Sequence, residues 1–583
     1  MCGIWALIGG LELPEAKEYV KKLTGRGPES IKLDTIPGGY LGFTRLAING
    51  LNEGGMQPFS ADGVQWICNG EIYNARQLSE EYGIPMLSGS DCEVLGPLYK
   101  LFRDQGNLPG FFRSLDGVFA LVLYDSETRE LVWGRDPYGV RPLFAAWKSD
   151  AEGGDVIQSL NGIRDFASLT MDLVLHDGTL QGLCLASERK AIPDEYRYII
   201  QFRPGSYAYL KVPELSSYYE GSYHSIPWLK NPSLTPAAPR GLEAAAEAVR
   251  FALEEAVKKR MMTERPVAAL LSGGIDSSLI ASLVQKNLRA LGLPALKTFS
   301  IGMAGSTDLA FARKVADWIG SDHTEVLLTA DDFFAAIPDV VRDIESYDIT
   351  SVRASVGNWL VSKAIRERCD CKVVFNGDGS DELFGSYLYF FNAPSDQAFE
   401  DEVERLLSEL CFYDVLRSDR SISSHGLEPR TPFLDKQFVA TCRSVATCWR
   451  RPVKGKQMEK YLLRKAFDDG VTLPSEVLWR QKEAFSDGVS SKEKSWYQEI
   501  QERVEKVVGA DWKYNAVEID YLTPLSAESY YYRSLYEQFY GPVSAITAIP
   551  AFWMPRWSPG ATDPSARTLA IYSESTSTSP RSS

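Results

Sequence analysis

The sequence lacks any apolar run long enough to cross a membrane. A membrane-spanning helix needs about 20 consecutive apolar residues, whereas the longest apolar stretches, such as 118–124, are only strand-sized. The N-terminal segment MCGIWALIGG has no positively charged start, and the charged segment 11–22 follows it at once, unlike in a secretory signal peptide. We therefore expect a cytoplasmic protein with no membrane partner.

Cysteine and positive charge are also scarce. The nine cysteines are an odd number without zinc-type spacing, which favours reduced thiols over a disulfide framework. Cys369 and Cys371 form only a Cys-X-Cys pair, which is not the spacing of a zinc site. With 62 lysines and arginines against 77 aspartates and glutamates, the net charge of −15 repels a phosphate backbone. Nucleic acid is not expected as a main partner.

The first part of the chain is rich in strand-type segments. A length of 583 residues suits several domains, because a domain usually holds about 100 to 200 residues. Residues 1–210 alternate short β-type runs with glycine, proline and asparagine breaks, which predicts a β-rich first domain. Residues 150–181 interrupt this pattern and predict a surface insertion. Five prolines between 213 and 239 suit an extended linker, placed at 211–241.

The second part alternates helical and strand patterns. An amphipathic stretch at 242–262 is followed by compact apolar runs such as 267–271 and 372–375. Strands that alternate with helices predict a doubly wound parallel sheet in a second domain, 242–560. Residues 561–583 form a C-terminal extension that ends in serine, threonine and proline, for which we expect a disordered tail.

Cys2 is a candidate nucleophile. Removal of the initiator methionine would leave its thiol beside a free α-amine. The four histidines lie at positions 176, 224, 323 and 425, so none is close to Cys2 in sequence. An α-amine with a pKa of about 7.7 to 8.0 can accept the thiol proton directly or through water. From these residues alone, a catalytic N-terminal cysteine and a buried structural cysteine both remain open.

The segments around Cys2 resemble class II glutamine amidotransferase domains in order and spacing. The resemblance covers nearly all of residues 1–148 and is carried by Cys2-Gly-Ile, Arg26-Gly-Pro, Gly42-Phe-Thr-Arg-Leu-Ala-Ile, Gly55-Met-Gln-Pro, Asn69-Gly-Glu-Ile-Tyr-Asn, Ser90-Asp-Cys-Glu-Val, Leu115-Asp-Gly-Val-Phe-Ala and Gly134-Arg-Asp-Pro-Tyr-Gly-Val-Arg-Pro-Leu-Phe. It implies an αββα N-terminal-nucleophile hydrolase that releases ammonia from glutamine.

This resemblance also implies roles for individual residues. Arg45 matches the cation that pairs with the glutamine α-carboxylate, and Glu71 and Asp91 match the anions for its α-ammonium. The side-chain amide of Asn69 and the backbone N–H of Gly70 match the oxyanion hole. The glutamine-binding residues implied are Arg45, Leu46, Ala47, Ile48, Asn49, Asn69, Gly70, Glu71 and Asp91.

A second motif, Leu270-Leu-Ser-Gly-Gly-Ile-Asp-Ser-Ser-Leu, follows an apolar run and opens a helical segment. Backbone N–H groups and the helix dipole cradle phosphate in such a setting. The chain has no Walker A motif. The motif resembles the PP-loop of ATP pyrophosphatases, which cut ATP between the α and β phosphates. In that family, the residue matching Asp276 can hold Mg²⁺ against the pyrophosphate.

The remaining motifs resemble the family of glutamine-hydrolysing asparagine synthetases. They are Thr298-Phe-Ser-Ile-Gly, 317–326, Tyr347-Asp-Ile-Thr-Ser-Val-Arg-Ala-Ser, Gly377-Asp-Gly-Ser-Asp-Glu-Leu, Ser424-His-Gly-Leu-Glu, Trp479-Arg-Gln-Lys-Glu-Ala-Phe-Ser-Asp-Gly and Thr562-Asp-Pro-Ser-Ala-Arg-Thr-Leu. With the N-terminal motifs, they cover about nine tenths of the chain. The resemblance implies ATP and Mg²⁺ as co-substrate and cofactor, glutamine and aspartate as substrates, and leaves open whether the chain forms a homodimer.

Site residues of the second domain follow from the same resemblance. Lys482 matches the pyrophosphate lysine, Asp378 a catalytic carboxylate, and Asp276 and Asp381 the metal-binding carboxylates. ATP binding is implied for Leu271, Ser272, Gly273, Gly274, Asp276, Ser277, Ile301, Asn376 and Gly377. Binding of aspartate or its adenylate is implied for Thr350, Arg353, Asp381 and Glu382.

The sequence departs from the family pattern at several positions. Gly25, Glu29 and Thr44 replace residues that have no catalytic role in the family. Asp378 stands where the family usually has glutamate, and Asn376 stands where it has serine. A shorter carboxylate at 378 could slow attack by ammonia or alter the choice of acceptor. The 150–181 insertion has no family counterpart.

The resemblance implies two coupled reactions. Cys2 hydrolyses glutamine, and the second domain converts the aspartate β-carboxylate to an AMP ester that ammonia displaces through a dry internal channel. One rival is another amide-forming or β-lactam-forming adenylating synthetase of the same fold. Another is a non-catalytic regulatory or storage homologue. The joint presence of Cys2, Arg45, Asp276 and Lys482 favours the first interpretation.

Overall fold

The computed structural model describes residues 1–149, 180–226, 239–483, 488–490, 494–559 and 563–565. The predicted insertion lies outside these ranges except for Leu180 and Gln181, which begin a strand. The predicted disordered tail also lies outside the described residues.

The first half of the chain is built on two antiparallel sheets. Their strands are β1 Gly3–Ile8, β2 Ser30–Ile36, β3 Gly39–Arg45, β4 Phe59–Ala61, β5 Val64–Ile72, β6 Gly117–Asp125, β7 Glu130–Arg135, β8 Phe144–Ser149, β9 Leu180–Ala186, β10 Tyr198–Gln201, β11 Ser206–Lys211 and β12 Ser216–Ser222. One sheet has the order β10-β8-β9-β1-β3-β2, and the other has the order β12-β11-β7-β6-β5-β4. The β-rich character predicted for this half is confirmed.

Helices cover the outer faces of both sheets. They are α1 Leu13–Lys21, α2 Ala75–Tyr82, α3 Leu95–Asp104 and α4 Leu108–Ser114. Alternate residues of β1 face opposite ways, as a period of two requires. Ile4 packs between the sheets with Val122, while Trp5 packs outward with Val20 of α1. The predicted αββα sandwich is confirmed.

The predicted linker begins too early. β12 lies inside the stretch predicted as linker and pairs with β11, with Ser206 opposite Ser222. Tyr209 stacks on Tyr219 across the pair, with ring centroids 5.2 Å apart. Pro213, which suggested an extended connector, lies in the turn between the two strands. Residues 227–238 of the predicted linker lie outside the described ranges.

The second half contains a five-stranded parallel sheet. Its strands are β13 Val267–Leu270, β14 Lys297–Gly302, β15 Asp322–Leu327, β16 Val373–Phe375 and β17 Glu428–Arg430. Their order is β15-β14-β13-β16-β17, and every pairing is parallel. The chain starts at the central strand and winds to each edge in turn, so the doubly wound sheet is confirmed.

Helices pack on both faces of the parallel sheet. Ala269 and Phe375 belong to one core and Ala268 and Val374 to the other, as alternation along a strand requires. The helices are α5 Leu242–Lys259, α6 Ile275–Ala290, α7 Thr307–Ile319, α8 Ala330–Ala335, α9 Ile337–Ile344, α10 Ile349–Arg368, α11 Ser380–Phe384, α12 Asp396–Glu409, α13 Asp414–Ser423, α14 Lys436–Ser444, α15 Thr447–Arg450, α16 Tyr461–Ala466, α17 Ser475–Leu478, α18 Trp496–Val508, α19 Trp512–Ala516, α20 Ala527–Tyr540 and α21 Pro542–Ile546.

The two halves share a hydrophobic core. Leu46, Val118 and Tyr138 of the sandwich belong to the same buried cluster as Leu271 and Phe433 of the second half. This contact places the edge of the sandwich that carries residue 46 against the parallel-sheet half. Within the described ranges, no helix is long and apolar enough to span a bilayer.

Candidate functional site

The N-terminal cysteine lies immediately before β1, between the two halves of the chain. Met1 is fully buried, and its amino group donates a hydrogen bond to the Leu427 carbonyl oxygen at 3.2 Å. The Cys2 thiol donates to the Leu46 carbonyl oxygen at 3.5 Å. Burial raises the pKa of this thiol to about 11 and lowers the pKa of the Met1 amine to about 5. A free amine on Cys2 itself therefore requires removal of Met1.

Strand β5 brings the predicted oxyanion-hole residues beside Cys2. In the orientation that gives both ends of its amide a partner, Asn69 donates to the Cys2 carbonyl oxygen at 2.9 Å and accepts from Arg26 at 3.3 Å. Gly70 follows on the same strand, where a Cβ atom would lie 2.1 Å from the Val118 carbonyl oxygen. Glycine is therefore required for β5 to pair with β6 at this position.

The segment from Arg45 to Asn49 is held in place by hydrogen bonds. The Arg45 guanidinium donates to the carbonyl oxygens of Gly50 at 2.5 Å and Asn52 at 2.9 Å. Asn49 donates to Glu71 at 2.6 Å. The three residues between Arg45 and Asn49, which are Leu46, Ala47 and Ile48, are buried. The structure thus joins Asn49 to Glu71 and places Arg45 four residues before Asn49 on the same segment.

The two predicted anions of this site are buried. Burial raises the pKa of Asp91 to about 6, although its carboxylate accepts from the Ile72 N–H at 2.6 Å. Burial, and then the charge of Asp91, raises the pKa of Glu71 well above its ordinary value. Arg430 of the second half lies 3.4 Å from Glu71 and only partly offsets this. Two desolvated carboxylates side by side favour a cationic ligand such as an α-ammonium group.

A cavity opens at the carboxyl ends of the central parallel strands, where doubly wound sheets bind ligands. The PP-loop connects β13 to α6 at its floor. Gly273 has a φ of +73° there, and a Cβ atom would lie 2.6 Å from the Ala312 backbone nitrogen. The predicted site residues that line this cavity are Leu271, Ser272, Gly274, Asp276, Ser277, Ile301, Asn376, Gly377, Asp378, Asp381, Glu382 and Lys482.

Two lysines link the carboxylates of this cavity. Lys460 lies 2.5 Å from Asp276 and 2.5 Å from Asp381, and Lys482 pairs with the other oxygen of Asp381. Burial opposes ionisation of Asp381, but the two lysines outweigh it and hold its pKa well below the ordinary value. Ser380 also donates to Asp276 at 2.7 Å. The cavity therefore favours an ionised Asp381 with two lysines already beside it, whereas burial raises the pKa of the adjacent Glu382 well above its ordinary value.

Asp378 has one bound and one unbound carboxylate oxygen. Oδ1 accepts from Arg417 at 3.1 Å, while Oδ2 is buried without a hydrogen-bond partner. Burial raises the pKa of Asp378, and Arg417 partly offsets the increase. Asn376 donates to Ser418 at 2.7 Å and so anchors the start of this loop to α13. The free oxygen can accept a proton from a ligand in the cavity.

Two predicted aspartate-site residues lie elsewhere. The buried Arg353 guanidinium pairs with Glu528 at 2.5 Å and Asp563 at 2.6 Å, and neither Arg353 nor Thr350 lines the cavity. The Thr350 hydroxyl is buried without a partner. Since its two carboxylate partners occupy the guanidinium of Arg353, the geometry supports a structural ion pair there instead of substrate contact.

Sequence reasoning missed several charged and polar residues that line the cavity. They include Tyr387, Asp414, Arg417, Lys460, Arg464 and Arg480. Lys460 has a side chain only 1% exposed, yet a lone lysine in sequence is indistinguishable from a solvated surface charge. Only the fold reveals its two carboxylate partners, because they lie far away along the chain.

The described residues contain no group of three or more histidine, cysteine, aspartate or glutamate side chains suited to a metal ion. Asp276 and Asp381 nevertheless share Lys460 as a partner. Mg²⁺ is usually held by one or two carboxylates together with substrate phosphates. This pair of oxygen donors fits that pattern, provided that a polyphosphate ligand supplies the remaining oxygens.

Comparison with known proteins relates both halves to described families. A family model for the glutamine amidotransferase domain matches residues 1–219, and one for asparagine synthase matches 248–410 and 393–562. The chain is 40% identical over 584 residues to asparagine synthetase (glutamine-hydrolyzing) of Gallus gallus, covering 98% of this chain and 99% of that protein. Identity to the Homo sapiens protein of the same name is 40% over 585 residues, with the same coverage.

Proposed function

The chain belongs to the family of glutamine-hydrolysing asparagine synthetases, and from this premise we propose how its two sites divide the reaction. The enzyme makes L-asparagine from L-aspartate with ammonia released from L-glutamine. The reaction consumes ATP, passes through β-aspartyl-AMP and yields glutamate, AMP and pyrophosphate. The amidotransferase half supplies ammonia, and the parallel-sheet half activates aspartate.

In the amidotransferase half, Cys2 is the nucleophile after removal of Met1. Its α-amine accepts the thiol proton, and Sγ attacks the glutamine amide carbon. The developing oxyanion receives hydrogen bonds from the Asn69 side-chain N–H and the Gly70 backbone N–H. Collapse of this intermediate expels ammonia and leaves a thioester, which water hydrolyses to glutamate.

Glutamine is oriented by the charges around this nucleophile. Arg45 pairs with the α-carboxylate, and Glu71 and Asp91 bind the α-ammonium group. The segment that includes Leu46, Ala47, Ile48 and Asn49 forms the wall of the site. The desolvation of Glu71 and Asp91 supports this role, because a bound cation restores the charge balance that burial removes.

In the synthetase half, the PP-loop residues hold ATP. Leu271 and Ile301 contact the nucleoside, Ser272 and Ser277 lie at the phosphates, and Asn376 and Gly377 lie beside the adenosine. Lys482 stabilises the charge that develops on the departing pyrophosphate. Lys460 does the same from the other side of Asp381, which its contacts with Asp276 and Asp381 support. Glu382 lies at the aspartate end of the cavity.

Carboxylates of the cavity would hold Mg²⁺ together with the phosphates of ATP. We propose Asp276 and Asp381 as its protein ligands, with the remaining oxygens supplied by ATP. The ion would neutralise phosphate charge during adenylation. The protein's own contribution is to hold the carboxylates of Asp276 and Asp381 at fixed positions, which the contacts with Lys460 and the low pKa of Asp381 support.

Asp378 acts on the incoming ammonia. Its unpartnered Oδ2 accepts a proton from the nitrogen as that nitrogen attacks the β-carbonyl of the adenylate. Arg417 holds the other oxygen in place. The shorter side chain at this position is therefore compatible with the function usually carried by glutamate, because the loop is anchored through Asn376 and Ser418.

The observation that best supports this function is Lys460, which joins the PP-loop carboxylate Asp276 to Asp381 in one cavity. The test is incubation of the purified protein with glutamine, aspartate and Mg·ATP. Asparagine, AMP and pyrophosphate are expected in equal amounts. ADP and phosphate would contradict adenylation, a different amide or lactam would favour the rival synthetase, and no turnover would favour a non-catalytic homologue.

Three further expectations belong to this proposal. We propose domain limits of 1–222 and 242–560 with a linker between them, the first revised for β12. The proposed location is the cytoplasm. For the oligomeric state, we propose a homodimer, to be tested by light scattering of the purified chain.

A further inference from the structure

Helix α13 lies between the synthetase cavity and the site of Cys2, with one face toward each. At 3.6 residues per turn, Asp414, Arg417 and Ser418 share one side of the helix, whereas Asp419 and Ser423 lie on the opposite side. Asp414 and Arg417 line the synthetase cavity. Asp419 and Ser423 contact Arg26 of the sandwich.

Arg26 connects Asp419 to the nucleophile. Its guanidinium is fully buried and donates hydrogen bonds to both carboxylate oxygens of Asp419, at 2.7 and 3.2 Å. On its other edge, Nε donates to the Cys2 carbonyl oxygen at 2.9 Å, and a terminal nitrogen lies 3.3 Å from the Asn69 amide oxygen. One planar group therefore joins α13, Cys2 and Asn69.

The contact with Arg26 decides which end of the Asn69 amide can face an oxyanion. While Arg26 donates to the amide oxygen, the nitrogen must face the Cys2 side of the site. If Arg26 rotated away, the amide could turn and present its oxygen to the oxyanion, which would repel it. Asp419 restrains this rotation, because a two-bond fork fixes the plane of a guanidinium. Glu188 of the sandwich also accepts from Arg26, at 2.9 Å, but through one nitrogen only and therefore without a fork.

We propose that Asp419, on a helix of the synthetase half, is a positioning residue for glutamine hydrolysis. Through Arg26, it holds the Asn69 amide with its N–H toward the developing oxyanion. This inference rests on the proposed role of Cys2 and Asn69. It assigns to the second half a part in the chemistry of the first, carried by the face of α13 opposite the synthetase cavity.

The test compares Asp419→Asn with Glu345→Gln. The first substitution keeps the shape of the side chain but replaces one acceptor oxygen with a donor that opposes the arginine. The control removes an equally buried carboxylate that pairs with Arg420 of the same helix and also joins the two halves, but does not contact Arg26. Glutaminase kcat and KM, ammonium-dependent asparagine synthesis and Tm are measured for both variants.

Asp419→Asn should lower the glutaminase kcat by about 10-fold to 10²-fold, since loss of one oxyanion donor costs about 10²-fold to 10³-fold. The KM for glutamine and the ammonium-dependent rate should stay within about 2-fold, because Asp419 contacts neither substrate. Glu345→Gln should keep its glutaminase kcat even where its Tm falls. If Asp419→Asn does not fold, Asp419→Glu, which keeps the charge but shifts the carboxylate, should show a smaller selective loss of kcat.

Three results would overturn the inference: a wild-type kcat in the Asp419 variants, an equal loss of both activities, or an equal loss of kcat in Glu345→Gln. Glutamine hydrolysis that survives Cys2→Ala would instead contradict the proposed function itself. The two failures are therefore separated by which variant retains glutaminase activity.

Discussion

Glu71 and Asp91 of the amidotransferase half and Asp381 of the synthetase half are desolvated carboxylates under opposite conditions. In the amidotransferase half, burial raises the pKa of Asp91 and Glu71, because no protein cation fully balances them. In the synthetase cavity, Lys460 and Lys482 lower the pKa of Asp381 despite its burial. Glu71 and Asp91 thus need a ligand to complete their charge balance, whereas Asp381 has two lysines beside it. This holds for Asp381 alone, since burial raises the pKa of its cavity neighbours Asp378 and Glu382.

This difference matches the ligands proposed for each site. Glutamine brings an α-ammonium group that can neutralise Glu71 and Asp91. Mg·ATP brings phosphates that need cations and a metal ion that needs carboxylates. When it binds, the lysines can therefore pair with the phosphates and the aspartates with the metal ion, in place of one another. The comparison predicts that substitutions in one site leave the chemistry of the other intact, except where Arg26 and α13 connect them.

The largest effect is expected from Cys2→Ala. The variant loses the proposed nucleophile of the amidotransferase half, so glutamine-dependent synthesis should fall by about 10⁴-fold or more, as in other nucleophile deletions. Synthesis from added ammonium should continue at the wild-type rate. The exposed Cys448 offers a matched control, since Cys448→Ala should change neither activity. Equal loss of both activities in Cys2→Ala would refute two separable sites.

A smaller effect is expected from Asp276→Asn and Lys482→Ala, which should impair adenylation and not glutamine hydrolysis. Each variant removes a charge that supports adenylation, so ATP–pyrophosphate exchange should fall by about 10²-fold or more. Glutamine hydrolysis should persist in both. The exposed Lys286 and Asp322 provide control substitutions, Lys286→Ala and Asp322→Asn. Unimpaired exchange in either site variant would remove that residue from the proposed mechanism.

Substitutions of Asp378 separate the two steps within the synthetase half, which are adenylation and attack by ammonia. Asp378→Ala should lower asparagine formation from ammonium by about 10²-fold, and Asp378→Glu by about 10-fold, because misplacement by about 1 Å can cost 10²-fold. Pyrophosphate exchange should be unchanged, since adenylation precedes the proton transfer. A faster Asp378→Glu variant would mean that the aspartate is poorly placed, and full activity in Asp378→Ala would mean that it has no catalytic role.

The smallest effect concerns pH. Because burial raises the pKa of Asp91 to about 6, this carboxylate is charged above that pH and neutral below it. The Cys2 α-amine must be neutral to accept the thiol proton, so kcat/KM for glutamine hydrolysis already falls below about pH 8. Protonation of Asp91 should add a second, steeper fall below about pH 6. Asp91→Asn should lower kcat/KM and abolish this second fall. A wild-type profile without the second fall down to about pH 5 would contradict the role of Asp91.

Much of the fold was predictable because it depends on local patterns. The strand runs near 118–125 and 267–271 and the helix from 242 are visible as apolar periodicity, and the structure places β6, β13 and α5 there. The linker was misplaced for an equally local reason. Pro213 is compatible with both a connector and a tight turn, and only the cross-strand partners of β12 distinguish them.

The site was predictable where its residues are adjacent in sequence. Asn69 and Gly70 occupy one strand, and the PP-loop is a single turn, so motifs capture them. Lys460 could not be found this way, because Asp276 lies 184 residues away. Arg353 is the opposite case, a residue that the sequence placed in the site and the structure does not. Its side chain pairs with carboxylates at positions 528 and 563, which are also distant in sequence.

The most direct test of the central claim follows the nitrogen atom between the two sites. Glutamine labelled with ¹⁵N at the amide is supplied with aspartate and Mg·ATP in the presence of unlabelled ammonium. The account predicts ¹⁵N in the asparagine side chain at a fraction well above that of the mixed ammonia pool, with one AMP per asparagine. Label no higher than the pool, or formation of ADP in place of AMP, would contradict it.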